Sequence, residues 1–275
     1  MRTKASGVVA ATAVLWLSLA TAAAAQQVEV LWLGHSTFRL TSTTGKVIVI
    51  DPFLTQNPRT PAKYKDLKAL GKVDLILITH GHLDHVLDLR ELAALSGATV
   101  VAPHELVLNA VAIGVVEAAK ALPMNKGGTI TPFGPGVKIH MVPAEHSSGA
   151  DLRGLKPEVK DVRFLEGGNA VGYVIEFENG FKLYHCGDTA VFGDMALIQK
   201  FFNPDLALVP IGGHFGMDPE RAAYAVKELI RPRQVIPIHY GTFPLLNRTP
   251  AELKTAMGAS PIKVLDVKPG DALKF

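Results

Sequence analysis

The sequence predicts a single α/β domain, and three observations carry that expectation. Leu75-Ile76-Leu77-Ile78 is a continuous apolar run of the kind that forms a strand buried on both faces. Strand-like runs are followed by helical ones in both halves of the chain, as in layered α/β architectures. No low-complexity linker divides the chain after residue 26.

Taken in order, Val28 to Leu33 reads as a strand that turns at Gly34-His35-Ser36. Phe38 to Leu40 and Val47 to Ile50 form a hairpin around Gly45, ended by Asp51-Pro52-Phe53. Residues 54–72 read as a loop with one helical turn, and the apolar strand from Leu75 follows. Asp88 to Ser96 has helical spacing with Gly97 as its stop. Thr99 to Ala102 is a short strand, and Glu105 to Leu122 reads as one helix before Pro123. Strands are expected at 138–142, 171–177, 181–185, 206–211 and 234–238. Asp218 and Pro219 supply the N-cap and first position of a helix running to Ile230. A last helix spans Ala251 to Met257, and short strands at 262–265 and 272–275 finish the chain. Residues 147–170, rich in Gly, Glu and Lys, are expected to be a long functional loop.

The N-terminus reads as separate from this domain. Arg2 and Lys4 precede an uncharged run that ends in Ala22-Ala23-Ala24-Ala25, the pattern of an export signal cleaved before Gln26. The alternative is an uncleaved anchor, because the run is just long enough to span a bilayer. Residues 26–275 are then an exported domain, periplasmic or secreted, with no lasting membrane partner. The 275-residue chain is 48% hydrophobic and only 19% charged, a globular rather than disordered balance. Arg2 and Lys4 account for two of its net three positive charges, leaving no basic face to argue for nucleic acid. The single cysteine, Cys186, cannot form an internal disulfide and reads as a buried, inert thiol rather than a ligand.

His80, His82, Asp84 and His85 lie within six residues, directly after the buried strand. The strand period puts His80 and His82 on one side, and the turn into a helix lets Asp84 and His85 face the same space. Imidazole and carboxylate suit zinc, and also iron or manganese. Four donors at one strand end exceed the three that an open catalytic metal needs, which suggests two metals. His146, Asp188 and His239 follow later strands in the same way.

The run His80-Gly81-His82-Leu83-Asp84-His85 resembles the HxHxDH signature of the metallo-β-lactamase superfamily. His146, Asp188 and His239 match that superfamily's later ligands in order. More narrowly, Leu33-Gly34-His35-Ser36, Asp51-Pro52-Phe53, His146-Ser147-Ser148-Gly149 and His185-Cys186-Gly187-Asp188-Thr189 resemble segments of the UPF0173-type metal-dependent hydrolases. So do Gly167 to Tyr173, Pro210-Ile211-Gly212-Gly213-His214-Phe215 and Ile238-His239-Tyr240-Gly241-Thr242-Phe243. The export signal departs from that group, as does Cys186, where a small residue such as Ala is expected. The resemblance implies an αββα sandwich with metals at the sheet edge. It implies His80, His82 and His146 on one ion, Asp84, His85 and His239 on the other, and Asp188 bridging them.

These readings predict an exported hydrolase of a small ester, lactone or phosphodiester, with two divalent ions, zinc before manganese or iron, sharing a hydroxide. Asp84, Asp188 and His214 are the candidate catalytic groups. His214 sits in a Gly-rich turn and reads equally as a substrate contact or an ordinary loop histidine. His35 is read as orienting a ligand, His185 as a core residue, and His104 and His140 as structural. A β-lactamase, a di-iron redox protein and a non-catalytic binding protein are the rival functions on this scaffold.

Overall fold

The computed structural model describes residues 26–275; the segment read as an export signal lies outside the described residues. Apolar side chains alternate along the strands so that each sheet buries both faces, and this dictates a layered arrangement. The first sheet comprises β1 (Glu29–Gly34), β2 (Thr37–Thr41), β3 (Val47–Ile50), β4 (Leu75–Leu77), β5 (Thr99–Pro103) and β6 (Ala121–Met124). The C-terminal β16 (Ala272–Lys274) joins it beside β1, giving the order β16-β1-β2-β3-β4-β5-β6. The second sheet contains β7 (Thr129–Ile130), β8 (Lys138–Pro143), β11 (Val171–Glu176), β12 (Lys182–His185), β13 (Leu206–Pro210), β14 (Gln234–Ile238) and β15 (Lys263–Val264). Its order is β15-β14-β13-β12-β11-β8-β7. Pairing is parallel from β3 through β6 and from β12 through β15, and antiparallel elsewhere in both sheets.

Trp32, Phe38, Ile50 and Leu77 from the first sheet meet Tyr173, Ile175, Leu208 and Ile236 from the second in the central core. The alternate residues face outward. Leu33, Val49, Ile76 and Val100 pack under α1 (Leu83–Val86), α2 (Leu89–Ser96), α3 (His104–Ala112) and α4 (Leu152–Leu155). Val174, Ala207, Val209 and Val235 pack under α5 (Met195–Phe202), α6 (Pro219–Tyr224) and α7 (Pro250–Met257). The layers are therefore helix, sheet, sheet, helix in one domain. Asp218 caps α6 by accepting from Arg221 N at 2.8 Å, and the helix continues as a π-turn over Ala225–Ile230. Among the described residues no helix is long and apolar enough to cross a membrane.

The structure corrects some expected elements. The helix expected over Glu105–Leu122 ends at Ala112, because Gly114 turns the chain at φ 74°. Ala121–Met124 then pairs in parallel with β5 instead of remaining helical. Residues 54–72 hold two 3-10 turns, Ala62–Lys65 and Leu67–Leu70, rather than one helical turn. The short helix α5 and strand β7 were not expected. Residues 147–170 are not irregular throughout: β9 (Ala150–Asp151) pairs with β10 (Phe164–Leu165) around α4.

Candidate metal centre

Every group in the centre is supplied by a strand end or the turn after it, on one rim of the sandwich. Thr79 to His85 follow β4, Asp51 follows β3, His146 follows β8, Asp188 follows β12 and His239 follows β14. His35 sits in the β1–β2 turn with φ 55°, and His239 has φ 54°. Two non-glycine residues in this rarely populated region show that the surrounding fold fixes their aim. Gly81 is required by packing: a side chain there would place its Cβ 2.6 Å from Ala150 Cα, while Asp151 N donates to Gly81 O at 2.8 Å. The β9–β10 hairpin is thereby laid directly on the histidine motif.

The seven expected ligands converge. His80, His82 and His146 form one group whose donor atoms all lie within 4.8 Å of one another, and His80, His85 and Asp188 form a second. Asp84, His85 and His239 form a third, which also contains His35. Asp188 Oδ2 stands 2.9 Å from His239 Nε2, 3.5 Å from His85 Nε2 and 3.8 Å from His146 Nε2. His80 Nε2 and His82 Nδ1 are 3.0 Å apart. Ligands on one tetrahedral zinc, at 2.0–2.1 Å from it, sit about 3.3 Å from each other. Two buried atoms in this cluster, His85 Nε2 and Asp188 Oδ1, have no hydrogen-bond partner among the described residues. Such orphans cost about 1–3 kcal/mol each unless something else satisfies them. The donor types and the orphaned atoms both fit divalent cations.

Asp51 sets which nitrogens are offered. Its carboxylate accepts from Thr79 N at 2.8 Å, from Thr79 Oγ1 at 2.7 Å, and lies 2.8 Å from His85 Nδ1. A carboxylate only accepts, so His85 Nδ1 carries the proton and its Nε2 faces Asp188. The Thr79 hydroxyl gives its one proton to Asp51. Its 3.0 Å contact with His80 Nδ1 must then receive a proton from His80, which frees His80 Nε2 as a lone-pair donor. In the sequence Asp51 shows only as the first residue of the Asp51-Pro52-Phe53 break. The available signal was an acidic residue immediately after an apolar strand.

His35 is fully buried and has its pKa lowered to about 4, chiefly by burial and next by the charge of His239. The neutral ring bridges Thr242 Oγ1 at 2.9 Å and Asp84 Oδ2 at 3.0 Å. Asp84 accepts only, so His35 Nε2 carries the proton and holds the carboxylate. Burial lowers the pKa of His80 well below its usual value and that of His82 to about 4, helped in both by the neighbouring His85. Burial acts the same way on His85 and His239, but there the negative charge of Asp188 prevails and raises both, His239 to about 9. Burial opposes charge on Asp188, yet the adjacent His239 and His85 keep it well below the carboxylate range.

The other expected residues sort clearly. His214 is not in the cluster: it is exposed after β13, its ring against Phe215 at 4.5 Å. His185 is a buried core residue, with Nε2 donating to Ser36 O at 2.9 Å and Nδ1 accepting from Gly187 N at 3.0 Å. Cys186 faces the outer layer beneath α5 and α6, and burial pushes its thiol pKa far up. His140 contacts Thr129 Oγ1 at 2.8 Å on the second sheet, and His104 begins α3 exposed.

A double-sheet sandwich with imidazoles and carboxylates gathered at one rim defines a metal-dependent hydrolase of the beta-lactamase superfamily. A family model described as a beta-lactamase superfamily domain matches residues 46–240. A "UPF0173 metal-dependent hydrolase" from Polaromonas sp. is 49% identical over 247 residues, covering 90% of this chain and 89% of that protein. One of the same description from Cupriavidus necator is 50% identical over 253 residues, covering 91% and 87%. Among solved structures, Igni18, a novel metallo hydrolase from Ignicoccus hospitalis, is similar with TM-score 0.77 at 34% identity, covering 90% of this chain and 98% of that one. The chain belongs to the UPF0173 metal-dependent hydrolases.

Proposed function

We propose that the chain is an exported hydrolase of a small ester, lactone or phosphodiester, working with two divalent ions, zinc by preference. His80, His82 and His146 would hold one ion, Asp84, His85 and His239 the other, and Asp188 would serve both. The position of Asp188 carries the reading, with His85, His146 and His239 all within 4 Å of one carboxylate oxygen. The ions supply Lewis acidity and acidify water, so that a nucleophile exists at neutral pH.

The residues do the rest. Asp51 and Thr79 hold His85 and His80 in the donor tautomers, and His35 holds Asp84. Asp84, 24% exposed at its side chain, faces the open side; burial opposes its charge, yet hydrogen bonds from His239 and His35 outweigh it and keep the carboxyl ionised, far below the usual carboxylate range. Asp188, within 4 Å of His85, His146 and His239, would add negative charge to the loaded centre, which would favour ester carbonyl or phosphoryl substrates over expulsion of an amide nitrogen. His214, exposed in the Gly-rich turn after β13, is offered as a substrate contact outside the ligand cluster. Export, to the periplasm or the medium, is supported by Arg2 and Lys4 ahead of an uncharged run that ends in Ala22-Ala23-Ala24-Ala25.

The test combines metal analysis with a hydrolysis screen of esters, lactones, phosphodiesters and a chromogenic cephalosporin. About two ions per chain and turnover of one of the first three classes are expected. One ion at saturation, or efficient turnover of the cephalosporin alone, would overturn the reading. Mass spectrometry of protein from its own cells should find a terminus at or near Gln26, and an intact Met1 or Arg2 terminus would show that the segment is an anchor or is not processed.

A further inference from the structure

A polar cavity of about 330 Å³ opens between the loop after β13 and the loop after β14. Its walls include Gly212, Gly213, His214, Leu245, Asn247 and Arg248. One wall of it packs on the backbone of His239. A side chain on Gly212 would meet His239 O at 2.3 Å, so that loop lies directly on the residue carrying a candidate ligand. On its other side the same loop is fixed to the residue after Asp188, because Met217 N donates to Thr189 O at 3.3 Å. Crevices beyond the carboxyl ends of parallel strands are where α/β sheets bind ligands, and β13 and β14 are parallel neighbours.

The cavity wall carries donors with bonding capacity to spare. Among the described residues, Arg248 makes one side-chain hydrogen bond, from Nη1 to Glu252 Oε1 at 3.2 Å. Its Nε lies 3.5 Å from where a Gly213 Cβ would stand, on the cavity side. No side-chain hydrogen bond engages His214 or Asn247 among the described residues. The one acid in the wall, Asp218, is already satisfied by Arg221, through its backbone N at 2.8 Å and its guanidinium. A permanently charged guanidinium beside an amide and an imidazole matches a carboxylate or phosphate.

We propose that this cavity is a subsite for an anionic group of the substrate, with Arg248 as its specificity-determining residue. The substrate class narrows to small esters, lactones or phosphodiesters bearing a carboxylate or phosphate away from the bond that is broken. The inference rests on the hydrolase reading given above and adds the charge of the substrate to it.

Two matched pairs test it on the metal-loaded protein. The phenyl monoester of glutarate is compared with phenyl pentanoate, and 3-acetoxybenzoate with phenyl acetate. In at least one pair the carboxylated member should have kcat/KM about tenfold higher, expressed in KM rather than kcat. Arg248→Gln should bring that ratio close to one, and Arg248→Lys, which keeps the charge, should retain part of it. Equal rates within both pairs, or a ratio unmoved by Arg248→Gln, would overturn the subsite. If all four esters are inert, the ester reading fails, and calorimetry with glutarate still decides the subsite. Binding about tenfold weaker in Arg248→Gln supports it, and equal binding sinks it.

Discussion

Asp51 Oδ2 stands 2.8 Å from His85 Nδ1 while His85 Nε2 turns to Asp188 at 3.5 Å, so one ring is held between two carboxylates. Through Thr79 the same aspartate also fixes His80. Replacing Asp51 by Asn keeps its size, and Asn tolerates the φ of 47° found there. Asp51→Asn should weaken metal affinity by about 10–100-fold. Competition against a chromophoric chelator measures this, and an unchanged Kd would show that Asp51 does not tune the centre.

His82→Ala removes one member of the three-histidine group without touching the core. Turnover should be lost. The melting temperature should fall in the metal-loaded protein and stay nearly constant in the stripped protein, because metal stabilises only the native state. Equal losses with and without metal would mark His82 as structural.

Metal uptake should release protons. His239, raised to about 9 by Asp188 against the opposing effect of burial, carries a proton at pH 7 without metal, as does His85. A cation takes the unprotonated nitrogen, so affinity should climb from pH 7 to 9 and level off above. Calorimetry at pH 7 in buffers of different ionisation enthalpy should report about one to two protons released per chain. A buffer-independent enthalpy would contradict this.

On the opposite rim, Glu178 accepts from Thr44 Oγ1 at 2.7 Å and from Thr43 Oγ1 at 3.0 Å, joining the β11–β12 turn to the β2–β3 turn. Burial opposes its charge, but hydrogen bonds from Thr44, its own backbone N–H, Ser42 and Thr43 bring its pKa down to about 2. A depressed folded pKa stabilises fully above the ordinary 4.5, and the contribution fades as pH falls toward 2. Glu178→Gln should therefore be less stable than wild type at pH 7, by under about 1 kcal/mol given the exposure of the site. The gap in melting temperature should close near pH 2, and a gap independent of pH would rule out the charge.

The sequence was most readable where side-chain period and chemistry coincide. Leu75 to Ile78 followed by His80, His82 and His85 declared both a buried strand and the group at its end. The stop at Ala112 was harder, because Val115 and Val116 continue an apolar pattern past Gly114, and both are buried in the same layer as α3. The roles of Thr79, Asp51 and Thr242 depend on contacts 28 and 207 residues apart in sequence, which local pattern cannot encode. Arg248 was invisible for the same reason: only the fold brings it beside Gly213.

Glu178 and the histidine centre lie at opposite ends of the same two sheets, and each joins one sheet to the other. A sandwich clasped at both rims opens from whichever clasp is undone. Removing metal at neutral pH should loosen the rim of β4, β8, β12 and β14 first, while the threonine turn and the shared apolar core keep the sheets together. Acid should weaken both clasps, since it also protonates the imidazoles that would hold metal. The two routes of unfolding therefore begin differently, and hydrogen exchange along β4 and β12 would tell which clasp gave way first.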